Sequence, residues 1–73
     1  MILISAIKNS IVISSDQIIN KGVIEVGKKD THKSKIVSVS GTNFIRIPVK
    51  EKGRYKVKVT LSEQYYSKTV NVF

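Results

Sequence analysis

His32 is the only histidine in the chain, and cysteine is absent. A zinc site draws on imidazole and thiolate donors, and one imidazole in the run Gly27-Lys28-Lys29-Asp30-Thr31-His32-Lys33-Ser34 has no second such donor. His32 therefore reads as a solvated loop histidine. A Ser-His-acid triad finds no Gly-x-Ser-x-Gly elbow around any serine. The carboxylates Asp16, Glu25, Asp30, Glu51 and Glu63 are scattered, without the pairing that glycoside hydrolysis needs. Gly22-Val23-Ile24-Glu25-Val26-Gly27-Lys28 has the glycine spacing of a phosphate-binding loop. Such a loop needs Ser or Thr after the lysine and a helix behind it. Here Lys29 follows, and the residues between the glycines are strand formers. These patterns predict no enzyme: no catalytic residue, no cofactor and no metal ligand.

The remaining chemistry is charge. Thirteen Lys and Arg face five acids, a formal net charge of +8 that can attract nucleic acid, anionic lipid or acidic glycans. Lysine on outward strand positions is also an ordinary device for keeping sheet edges from pairing. Two sets of basic residues stand out as a possible anion or partner surface. One is Lys28, Lys29, Lys33 and Lys35, in and beside the polar stretch 27–34. The other is Arg46, Lys56 and Lys58, which together with Phe44 alternate outward from two apolar runs. If those two strands were sheet neighbours, the second set would form a stacking and charge platform for nucleic acid. In an immunoglobulin-type sandwich they fall in opposite sheets and no platform forms.

The elements that must position these residues are strands. Apolar residues recur with period two, and no period of 3.6 is sustained. Ile2 to Ile7 and Ile11 to Ser14 are separated by Lys8-Asn9-Ser10; Ser15-Asp16-Gln17 reads as a turn, with Ile18-Ile19 packing into the core beyond it. Val23 to Val26, Lys35 to Ser40 and Phe44 to Val49 follow, with Pro48, which lacks an amide donor, predicting an edge strand or a position whose missing amide faces away from a partner. In the last third, Tyr55, Val57, Val59 and Leu61 alternate with Arg54, Lys56, Lys58 and Thr60, and Tyr65 to Phe73 returns with Val70 and Val72 on one face. Six or seven short strands with turns every eight to twelve residues predict a small all-β antiparallel sandwich, immunoglobulin- or fibronectin-like, or else a small barrel.

Seventy-three residues hold one core, so residues 1–73 read as a single domain. A domain of this size is expected to keep only a few kcal/mol of net stability. Met1 to Ile7 has no basic leader, and its apolar run is cut short at Lys8, so no signal peptide is read there and no transmembrane span is predicted. The chain is then cytoplasmic, or else a mature form whose export signal has been removed.

The run Thr42-Asn43-Phe44-Ile45-Arg46-Ile47-Pro48-Val49, then Gly53-Arg54-Tyr55-Lys56-Val57-Lys58-Val59 and Tyr66-Ser67-Lys68-Thr69-Val70, resembles the closing strands of short immunoglobulin-like modules in exported Bacteroidetes proteins. These include a family of unknown function and the related carboxy-terminal secretion-sorting sandwiches. Ile4 to Ile13 is compatible with their opening hairpin. The resemblance implies an extracytoplasmic (periplasmic or secreted), noncatalytic module whose partner is a protein, a glycan or a secretion machine. It carries over no functional residue. The expectation is thus a noncatalytic interaction module, protein- or glycan-binding or structural, in which strand one or strand five pairs with another chain by strand addition, a homodimer forming by the same route. The alternative is a basic nucleic-acid or polyanion binder.

Overall fold

In the computed structural model, which describes residues 1–29 and 34–73, seven strands follow one another: β1 (Ile2–Ile7), β2 (Ser10–Ile19), β3 (Gly22–Lys28), β4 (Ser34–Val39), β5 (Thr42–Pro48), β6 (Gly53–Leu61) and β7 (Tyr65–Val72). They form two antiparallel sheets, one ordered β1-β2-β5 and the other β4-β3-β6-β7, with no helix among the described residues. Placing β5 beside β2, and β6 between β3 and β7, is the Greek-key arrangement of an immunoglobulin- or fibronectin-like sandwich.

Alternation decides which side chains meet between the sheets. From one sheet come Ile4, Ile11, Ile13, Ile19 and Ile47; from the other come Ile24, Val26, Val39, Tyr55, Val57, Val59, Val70 and Val72. Ile11, Ile13, Ile24, Val57 and Val59 are almost wholly enclosed. β-branched residues suit such a core because their restricted χ1 matches a pleated surface. Tyr55 adds a polar tie at one end. Its ring is buried near the start of β6, and its hydroxyl donates to the carbonyl oxygen of Glu51 four residues upstream. This is the tyrosine corner of immunoglobulin-like domains, and it pins the β5–β6 connection to the core.

Two local expectations are corrected. The chain does not turn at Ser15-Asp16-Gln17: β2 continues to Ile19, and its pairing with β5 changes register between Ser14 and Ile19. The Ser15 hydroxyl accepts from the Gln17 amide, and Asp16 accepts from the Met1 ammonium at 2.8 Å. Polar residues that favour turns are here absorbed as an irregularity within a strand. As a result, Ile19 reaches the core while Ile18 is more than half exposed. The true turn between β1 and β2 is Lys8-Asn9, with Asn9 in the left-handed region at φ 61°, a conformation asparagine tolerates.

β1, β5, β4 and β7 are the sheet edges. β5 is an edge strand, as Pro48 predicts. The seam where β1 approaches β7 is bridged by Lys68, whose Nζ donates to the Ile4 carbonyl oxygen at 2.9 Å. The opposite seam, between β4 and β5, stays open as a groove.

Candidate functional site: a lysine-rimmed groove at the basic end

Two main-chain hydrogen bonds and an ion pair gather three connections at one end of the sandwich. The Val49 amide donates to the Asn9 carbonyl oxygen at 3.0 Å, joining the β5–β6 connection to the β1–β2 turn. The Lys29 amide donates to the Arg54 carbonyl oxygen at 2.9 Å, and the Lys28 ammonium pairs with the Glu51 carboxylate. Lys8, Lys28, Lys29, Lys50, Lys52 and Arg54 therefore stand at the same pole, although more than forty positions separate the first from the last. Glu51 supplies the one acidic side chain at this pole among the described residues. The far pole is mixed, with Asp16, Lys21, Glu63 and the Met1 ammonium.

The groove of about 650 Å³ opens beside this basic pole, in the seam between β4 and β5. Val26, Ile47, Pro48, Val49 and Tyr55 supply apolar walls, and Lys28, Lys35, Lys50, Ser34 and Glu51 stand among them. Strand parity explains the mixture. Lys28 lies opposite Tyr55 and Lys35 opposite Val26, so both lysines occupy inward-facing positions at strand ends, where the sheets diverge and the ammonium groups can reach water. The hydrogen bond to Glu51 raises the Lys28 pKa above the ordinary lysine value, with partial desolvation opposing it. This size and an apolar lining with a few charged groups fit small-molecule or peptide binding.

The other sequence-predicted basic residues part company. Lys29 belongs to the basic pole; Lys33, like His32, lies outside the described residues. Arg46 and Phe44 face outward from the three-stranded sheet, whereas Lys56 and Lys58 face outward from the four-stranded sheet on the opposite side of the molecule. The stacking and charge platform does not form. Lys58 lies 3.7 Å from Glu25, and the Arg46 Nε donates to the buried Ser10 hydroxyl at 3.0 Å. Around Arg46 the face is apolar, with Leu3, Ile7 and Phe44 exposed.

Sequence reasoning missed Lys8, Lys50, Lys52 and Arg54 at the pole. Each is a basic residue in or beside a connection, but their convergence depends on which connections share an end of the sandwich. Among the described residues, no three His, Cys, Asp or Glu side chains cluster as metal ligands would, and no helix is long and apolar enough to cross a membrane. No protein-family model matches the chain, and no curated protein does.

Proposed function

We propose that this domain is a noncatalytic interaction module that takes an anionic protein segment at the lysine-rimmed groove, as an exported module of the kind its sequence resembles would do. The observation that carries this reading is the placement of Lys28, Lys35 and Lys50 around apolar walls at the basic pole. A ligand matching it presents carboxylates and an apolar side chain together. Glycans fit less well, because sugar recognition favours open aromatic faces and the one aromatic ring lining the groove among the described residues, Tyr55, is buried.

A second reading, a nucleic-acid or polyanion binder, draws on the same convergence of lysines. The two differ in salt dependence and in the need for an apolar group. Binding would be measured against a peptide copolymer of glutamate and valine, polyglutamate, heparin, and short single- and double-stranded DNA across a salt series. The proposal expects the valine-containing copolymer to bind best, with Lys35→Glu/Lys50→Glu weakening it at least tenfold. Preference for DNA, with log K falling by about 0.9 per phosphate contacted for each log unit of salt, would replace it with the polyanion reading.

A further inference from the structure

The four sheet edges are not equally open. On β1, the Ile4 carbonyl oxygen is occupied by the Lys68 ammonium, and β7 packs alongside. On β5, the Val49 amide turns toward β2 through its bond to Asn9, so alternation sends the main-chain groups of Phe44, Arg46 and Pro48 to the free side. There, the Thr42 hydroxyl bonds both the Phe44 amide and the Phe44 carbonyl oxygen, at 3.3 and 3.1 Å. Pro48 has no amide at all. Phe44 and Pro48 are thus blunted on the free side of β5, the usual protection against strand addition. β7 shares its seam with β1. β4 is different: it pairs only with β3, and among the described residues no side chain bonds its backbone.

We propose that β4 is the docking edge, and that the occupant of the groove is an extended peptide that adds to β4 as a fifth strand of the larger sheet, carrying apolar residues and a carboxylate. This rests on the groove reading above and specifies how its partner binds. Register fixes the chemistry. Lys35, Val37 and Val39 alternate on the inner side of β4, and Ile36, more than half exposed, faces outward between Lys35 and Val37. A residue opposite Lys35 shares its parity and lies near Lys50, so a carboxylate belongs there. Residues opposite Val37 and Val39 share the inner parity of those valines, facing between the sheets, and are apolar; the residue opposite Ile36 gains by being apolar too. A second copy of this chain is a poor occupant. Antiparallel self-pairing would bring further lysines to this edge, between two molecules of net charge +8.

The test uses the full chain and a displayed library of random nine-residue peptides, followed by synthetic copies of the enriched sequences. The expected consensus is alternating Val, Ile or Thr with Asp or Glu at one end. N-methylating two alternate amides of one parity should weaken binding at least tenfold, while methylating the other parity should leave it within threefold. Bound peptide should slow hydrogen exchange at β4 amides, and Lys35→Glu/Lys50→Glu should reverse the charge preference while the far-ultraviolet dichroism stays unchanged. Peptides that need Lys35 and Lys50 but ignore N-methylation of either parity, without slowing β4 exchange, would overturn strand addition and leave the groove reading intact. Peptides insensitive to the lysine substitutions would overturn both. Concentration-dependent dimerisation that protects β4 amides would assign the edge to self-association and overturn the peptide proposal.

Discussion

Replacing Tyr55 by Phe isolates one atom of the tyrosine corner. The ring stays 7% exposed in the core, and only the hydroxyl bond to the Glu51 carbonyl oxygen is lost. A hydrogen bond of this kind contributes about 1 kcal/mol net. Burying the freed carbonyl would add to the cost, but Glu51 is exposed and its carbonyl can turn to water, so the loss should stay near that value. For a domain of this length, about 1 kcal/mol lowers Tm by about 4–8 °C. With a urea m-value of about 1 kcal/mol/M, the midpoint should fall by about 1 M. The assay is urea unfolding followed by far-ultraviolet dichroism, with native-state hydrogen exchange across residues 49–53. A loss under about 0.3 kcal/mol at unchanged m-value, with no faster exchange in 49–53, would refute the claim that this hydroxyl anchors the connection.

Ile13→Ala removes a fully enclosed side chain and should cost about 2–5 kcal/mol, comparable to the whole stability of so small a domain, so calorimetry should find it largely unfolded at 37 °C. Gly53→Ala should cost about 2–3 kcal/mol, because φ 139° is nearly exclusive to glycine and the new Cβ would sit 3.2 Å from the Lys28 Cε; Gly41→Ala, at φ 70° with open space around it, should cost about 1–2 kcal/mol, and paired urea curves would rank them. Lys68→Met should speed hydrogen exchange in β1 more than in β3, since the ammonium holds the Ile4 carbonyl oxygen. The raised Lys28 pKa means its pairing with Glu51 stabilises the fold below the unfolded lysine value of 10.5, and that this contribution fades as pH rises through the higher folded value. Melting wild type and Glu51→Gln from pH 8 to 12 should therefore show their Tm difference shrinking at the alkaline end; a constant difference would refute the linkage.

Much of the fold was legible because strand periodicity is a local signal. Tyr55-Val57-Val59-Leu61 against Arg54-Lys56-Lys58-Thr60 declares a strand with one buried face wherever its neighbours lie. Pro48 announced an edge for an equally local reason, its missing amide. The stretch Ser15-Asp16-Gln17 misled because turn-favouring side chains can equally satisfy their own backbone inside a strand irregularity. The amount of positive charge was also plain from composition.

Where the charge acts was decided by tertiary structure alone. Arg46 and Lys56 are ten positions apart, yet the Greek-key crossover sends them to opposite outer faces. Lys8 and Lys50 are 42 positions apart, yet the Val49–Asn9 hydrogen bond brings their turns together. The same crossover leaves β4 and β5 as unjoined edges of different sheets and so opens the groove between them. Sequence fixes side-chain parity within a strand, because successive Cβ atoms alternate whatever surrounds them. Only the pairing of strands distant in sequence determines which edges stay open and which charges share a pole.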